Sequence, residues 1–205
     1  MILALLLSAA SFEARVAILD ARLAMKRHEV WVSERRAWQR IAMNEARFGE
    51  GVVPERDLIQ ARLEGGLLDL EVSESERELA AARRRLATLL GLPEGELPNL
   101  EEAAEPAFPP LPPDVVGNGL KDTGKEYEAA REQIQTFRLR LLGPCEESAS
   151  IEELLYEQLK TTLLAVIESR RTCRDIRLRY GEALHRAETS RLRLRQLTGR
   201  EDFLS

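Results

Sequence analysis

Apolar residues recur at alternating steps of three and four along most of this 205-residue chain. That period is typical of helices with one buried face. Residues 11–46 contain neither proline nor glycine, so we predict a first helix about 50 Å long. Trp31 and Trp38 widen its apolar stripe, which has gaps at Lys26 and Ser33. The stripe consists of Phe12, Val16, Leu19, Leu23, Val30, Ala37, Ile41 and Phe48.

A turn follows at residues 49–54, where two glycines and Pro54 lie close together. Pro54 suits the first turn of a second helix, which we predict to end at Leu90, before Gly91 and Pro93. Its 3.5-residue repeat of apolar and small residues predicts an antiparallel coiled-coil hairpin over residues 1–92, with a tip near 48–57. The repeat consists of Leu58, Ala61, Gly65, Leu68, Val72, Ser75, Leu79, Ala82, Leu86 and Leu89.

Residues 93–120 are rich in proline, and we predict an extended linker there. We predict a second helical repeat over residues 121–205, in which a short helix ends at Gly143-Pro144 and a long helix covers 151–197. The short helix carries Tyr127, Ala130, Ile134, Phe137 and Leu141 on one face, and the long helix has no return partner. The pattern predicts no β-strand, so the expected fold class is all-α.

Composition narrows the possible functions. Charged residues make up 32% and aromatic residues 5% of the chain, with a net charge of −5, which is typical of long amphipathic helices. The longest arginine run, 83–85, is flanked by glutamates, so we predict a solvated face and no nucleic-acid binding. His28 and His185 are isolated and Cys173 is predicted to be a buried, inert thiol, so we expect no metal site, cofactor or enzymatic activity.

The segment from residue 46 to residue 100 resembles the TolC-type outer membrane efflux proteins. The resemblance rests on an Arg-aromatic-x-x-Gly turn, an Asp-apolar pair, Ala-rich heptads and a Leu-Leu-Gly stop. A weaker match, at residues 199–204, resembles the turn of that family's second repeat. The matching residues are Arg47, Phe48, Gly51, Asp57, Leu58, Ala61, Leu90 and Gly91, and in the second turn Gly199 and Asp202.

This resemblance implies a trimeric conduit whose helical tips face a periplasmic adaptor and an inner-membrane pump. Carried to this sequence, the tip residues that dock a partner are Arg47, Phe48, Gly51, Asp57, Gly199 and Asp202. Asp57 has a second interpretation, because an acidic side chain in the first turn of a helix also interacts favourably with the helix dipole. Gly49-Glu50-Gly51 follows a helix instead of a strand, so it does not predict a dinucleotide site.

The sequence departs from the family in lacking the β-strands of the membrane barrel. We therefore expect either a fragment or a barrel-less relative: a soluble chain whose parent resides in the outer membrane and periplasm. Residues 1–10 are expected to begin the first helix and not to form a signal peptide. The alternative function is a coiled-coil scaffold or adaptor with no role in transport, because periodicity alone does not separate the two.

Overall fold

The structure is a computed structural model that describes residues 11–43, 55–97, 99–100, 107–111 and 121–199. These residues are almost entirely helical and contain no β-strand, which confirms the all-α prediction. The helices are α1 (Phe12–Met43), α2 (Glu55–Leu90), α3 (Lys121–Thr136), α4 (Leu142–Glu157) and α5 (Leu163–Thr198), with a π-helical segment at Phe137–Leu141 and a 3-10 turn at Glu94–Glu96.

Helices α1 and α2 lie where the apolar pattern predicts them. Ser11 caps α1, since its hydroxyl accepts a hydrogen bond from the N–H of Ala14 (3.2 Å). Helix α2 ends at Gly91, whose φ of +66° is the left-handed conformation that glycine adopts readily. The predicted seam of α2 is largely buried, including Ala61, Leu68, Val72, Ser75 and Leu86, whereas Leu89 is exposed.

The prediction that a short helix ends at Gly143-Pro144 is wrong. Helix α3 continues through the π-helical segment into α4, which reaches Glu157. Pro144 cannot donate a backbone hydrogen bond, but it lies in the first turn of α4, where this loss is tolerated. The wider turn of the π segment immediately precedes it.

The chain reverses at residues 158–162, so the last helix begins at Leu163 and not near residue 151. Leu159 has a φ of +59°, and the N–H of Lys160 donates to the carbonyl oxygen of Leu155 at 2.8 Å. These features form a Schellman-type C-terminus. Thr162 then caps α5, because its hydroxyl accepts a hydrogen bond from the N–H of Ala165 (3.3 Å).

The chain divides into two compact units. The first comprises residues 1–25, 78–136 and 180–205. One of its apolar clusters joins α1 to the end of α2 and includes Leu100 from the predicted linker. Another contains Tyr127 and Leu194, both fully buried, with Phe108 and Leu111 packed against them.

Linker residues 107–111 lie against α3 in this first unit. The Tyr127 hydroxyl donates to the carbonyl oxygen of Pro109 (2.7 Å), and the Arg131 guanidinium donates to that of Phe108 (3.0 Å). The N–H of Leu111 donates to the carboxylate of Glu128 (2.7 Å). These bonds satisfy backbone groups that prolines leave without helical partners.

The second unit comprises residues 26–77 and 137–179. Its core combines Trp38 and Ile41 of α1, Ala61 and Leu68 of α2, and Leu163, Val166 and Ile167 of α5. Within this unit α1 and α2 run antiparallel, since His28 contacts Ser75 while Arg35 contacts Asp69. Gly65 lets Trp38 approach closely, because a Cβ there would lie 3.2 Å from the indole nitrogen.

Cys145 and Cys173 form a disulfide that joins α4 to α5. Both residues are buried, so the predicted burial of Cys173 is correct, but the prediction of a free thiol is wrong. The predicted helix end at Gly143-Pro144 left Cys145 in a connecting segment. With α4 continuous, the two Cα atoms lie 5.0 Å apart across a helical hairpin, which is a separation that a disulfide can bridge.

Candidate functional site

Two of the six predicted tip residues fall within the described parts of the chain. Asp57 is half-buried in the first turn of α2. Gly199 directly follows α5 with a φ of +65°, and its N–H donates to the carbonyl oxygen of Arg195 (2.9 Å). Arg47, Phe48, Gly51 and Asp202 lie outside the described residues.

A buried carboxylate, Glu34, is the centre of an ion-pair network in the second unit. Its side chain is 4% exposed, and its two oxygens each lie 3.5 Å from an arginine of α5, Arg170 and Arg177. Each arginine also meets an acid of α4: Arg170 lies 2.8 Å from Glu153, and Arg177 lies 3.1 Å from Glu146. The network thus ties three helices together through charge.

Glu64 of α2 forms a second buried ion pair in the same unit. Its side chain is 7% exposed and binds the guanidinium of Arg171 through several hydrogen bonds. Arg174 lies 3.6 Å from the same carboxylate, and its guanidinium is 4.8 Å from the ring centroid of Trp31. A cation stacked on an aromatic face gains further stabilisation, so Trp31 contributes to holding Arg174 beside Glu64.

Burial and pairing oppose each other at these carboxylates. Loss of solvation raises the pKa of Glu34, and the neighbouring Arg170, Arg177 and Arg174 only partly offset that effect. The hydrogen bonds that Arg171 donates to Glu64 raise the pKa of Arg171 and keep it charged. A buried acid held by several arginines is suited to aligning helices, since each carboxylate accepts from donors on a different element.

The first unit contains a similar but smaller arrangement. Glu188 of α5 is buried and lies 3.4 Å from Arg22 of α1, and burial raises the pKa of its carboxyl group. One turn away, a ring nitrogen of His185 lies 2.9 Å from the carboxylate of Asp20. Both histidines therefore occupy polar helix contacts, and no group of acids, histidines and cysteines in the described residues is arranged to hold a metal ion.

These buried charges were not predicted from the sequence. The apolar pattern identifies which face of a helix is buried but does not identify charged residues within that face. The available signal was that Glu34 and Glu64 interrupt otherwise apolar or small faces of α1 and α2. By contrast, the run Arg83-Arg84-Arg85 is exposed, in agreement with its predicted solvation.

Helix α2 carries a strip of exposed apolar side chains within the second unit. Ile59, Leu63, Leu67 and Leu70 are 52–67% exposed and follow one another at helical spacing. They lie on the side opposite Ala61, Leu68 and Val72, so this part of α2 is apolar on two opposite sides. We call the strip formed by these four side chains the exposed α2 face.

None of the described helices is both long and apolar enough to cross a lipid bilayer. An apolar strip of this kind on an otherwise packed helix is typical of a contact surface for another helix.

Comparisons of the chain with protein-family models, with curated proteins and with solved structures return no match.

Proposed function

We propose that this chain forms part of the helical wall of an outer membrane efflux conduit of the TolC type. The resemblance around Gly51 and Asp57 motivates the proposal, and the exposed α2 face is the observation that supports it best. A helix that is packed on one side and apolar on the other is suited to a wall in which each helix has neighbours on both sides. In this proposal the chain is a passive structural element without enzymatic activity.

The proposed partners follow from the same resemblance. They are further copies of the chain in a trimer, a periplasmic adaptor and an inner-membrane pump, with the parent protein in the outer membrane and periplasm. The proposed docking residues are Arg47, Phe48, Gly51, Asp57, Gly199 and Asp202. Asp57 lies in the first turn of α2 and is half-exposed, which supports its proposed role in docking.

The competing proposal is a coiled-coil scaffold or adaptor with no role in transport. The exposed α2 face agrees with this alternative as well, because any assembly of helices would cover it. Only a transport measurement separates the two, and Asp57 provides the variant to use.

The test measures accumulation of ethidium in cells that lack the gene and in cells complemented with the complete gene. Deletion should raise accumulation, and wild-type protein should restore export. Asp57→Arg should fail to restore it, whereas Glu55→Arg should succeed, since Glu55 lies in the same helical turn and controls for the helix dipole. Unchanged accumulation of ethidium and other exported compounds on deletion would favour the scaffold.

A further inference from the structure

The exposed α2 face has charges in a definite order along the helix. Arg56 and Arg62 lie towards its N-terminal end, and Asp69 and Glu74 towards its C-terminal end; all four are exposed. At 100° per residue, Arg56 and Glu74 lie in line with the face beyond its two ends, and Arg62 and Asp69 border one of its edges. Two further exposed acids lie beside the face, Glu55 at its N-terminal end and Glu71 at its C-terminal end, so the N-terminal end remains net positive and the C-terminal end net negative.

We propose that the exposed α2 face binds the same face of a second copy of this chain, with the two helices antiparallel across a twofold axis. In this arrangement Ile59 lies opposite Leu70 of the second copy, and Leu63 lies opposite Gly66. Gly66 has no atom within 4 Å of the position a Cβ would occupy, so it leaves space for the leucine.

The charges favour this orientation over a parallel one. In the antiparallel pairing Arg56 faces Glu74 of the second copy, and Arg62 faces Asp69. The twofold axis repeats both pairs, which makes four complementary contacts. A parallel pairing would place like charges opposite each other. Asp69 also lies 3.8 Å from Arg35 of its own chain, but its side chain is 69% exposed and has a second oxygen available.

The same charges disfavour a membrane as the occupant. Faces that lie on anionic lipid carry an excess of lysine and arginine. The arginines Arg56 and Arg62 are outnumbered by the exposed acids beside the face, so the face has no net attraction for such a surface. These acids are Glu55, Asp69, Glu71 and Glu74. Beyond Leu70 the helix presents Ser73, Glu74 and Arg77, which limits the apolar strip to about three turns.

The size of the face sets the strength of the association. An isolated apolar patch of this kind is on the order of 300–600 Å², which is below the roughly 800 Å² per partner of a stable interface. We therefore expect a reversible dimer that depends on protein concentration. The dimer occupies the face that the proposed conduit would need for its neighbouring helices, so it is a state of the chain outside an assembled conduit.

Sedimentation of the purified chain over a concentration series tests the inference. The wild type should shift from monomer to dimer as concentration rises. Leu63→Glu should weaken the association at least tenfold. Leu139→Glu is the matched control and should leave the association unchanged, because Leu139 is an exposed leucine (81%) that lies outside the face. Circular dichroism verifies that each variant retains its helical content.

A charge reversal tests the orientation. Arg56→Glu should weaken the dimer several-fold, because two glutamates then meet at each end. The double variant Arg56→Glu/Glu74→Arg should restore the wild-type association, since the reversed pairs are again complementary. Failure of this rescue would overturn the antiparallel arrangement.

Three further outcomes would overturn the proposal as a whole. One is a wild type that remains monomeric throughout the concentration series. Another is an association that Leu63→Glu leaves unchanged. The third is a monomer that floats with anionic lipid vesicles through Leu63, which would make the face a membrane contact. Export can fail in the cellular test while the dimer persists, so the two proposals fail separately.

Discussion

Glu34 is ionisable at a position where its side chain is only 4% exposed. Arg170 and Arg177 compensate part of the lost solvation, but burial still raises the pKa of this carboxyl group. Ionisation of Glu34 therefore lowers the free energy of unfolding relative to the protonated form. The value of this carboxylate lies in requiring the arginines of α5 to be in one register, since a shifted helix would leave the buried charge unpaired.

The raised pKa of Glu34 predicts that the difference in free energy of unfolding between the wild type and Glu34→Gln depends on pH. The folded protein holds the proton more tightly than the unfolded chain, whose pKa is near 4.5. The resulting contribution to stability is present below that value and is lost as the pH rises through the raised folded pKa. The free energy of unfolding of the wild type relative to Glu34→Gln should therefore fall over that pH window and remain constant above it.

Urea titrations at a series of pH values measure this difference. Glu29→Gln is the control, because Glu29 lies on the same helix with its side chain 41% exposed, in an ion pair with Lys26, and should follow the wild type. If the free energy of unfolding of the wild type instead rises relative to that of Glu34→Gln as the pH rises, burial is not the dominant effect on this carboxyl group.

In the turn that joins α4 to α5, one residue has an unfavourable backbone conformation. Leu159 has a φ of +59° and is 65% exposed. A side chain in the left-handed region costs about 1–2 kcal/mol, and this leucine regains little by burial. The hydrogen bonds of the Schellman-type end nevertheless hold it in that conformation.

Replacing Leu159 with glycine should therefore raise the free energy of unfolding by about 1 kcal/mol. Leu154→Gly is the matched control, since Leu154 is also exposed (54%) but lies inside α4. There the substitution should lower stability by about 1 kcal/mol. Thermal unfolding followed by circular dichroism measures both, and a destabilised Leu159→Gly variant would show that the leucine side chain matters to the turn.

The same turn shows how far the sequence predicts the fold. The seams of α2 and α5 were predictable, because buried apolar and small residues such as Leu68 and Val166 repeat at a helical period. The reversal at 158–162 was not, since it contains neither glycine nor proline and only Thr162 indicates a helix start. At Gly143-Pro144 the sequence predicted a helix end that the structure does not have. Proline usually marks such an end, but the π segment before it accommodates Pro144.

The candidate site was harder to predict than the seams. Glu64 and Arg171 are 107 residues apart in sequence, so their pairing depends on how α2 packs against α5. Periodicity indicates that each helix has a buried face but does not identify its neighbour. The exposed α2 face was only partly predictable: Leu63 and Leu67 lie outside the predicted seam of α2, but the sequence does not show whether another helix of the chain covers them.

For the whole molecule, the disulfide relates the fold to a cellular compartment. Cys145 and Cys173 are the only cysteines in the chain, and both are buried in the α4–α5 hairpin. Disulfides persist in oxidising compartments such as the bacterial periplasm and are rare in the cytosol. The bond therefore agrees with the proposed periplasmic location and gives it a measurable consequence.

Reduction should lower the free energy of unfolding, because the bond restricts the unfolded chain over a separation of 28 residues. A loop of that length predicts a loss of about 3.5 kcal/mol. Urea titrations with and without dithiothreitol measure the loss, and the double variant Cys145→Ser/Cys173→Ser should show the lower stability with no response to the reductant. In cells, rapid alkylation of free thiols should leave the wild type unmodified if it resides in the periplasm. A fully alkylated protein would place the chain in a reducing compartment, and the proposed location would then be wrong even if the hairpin folds as described.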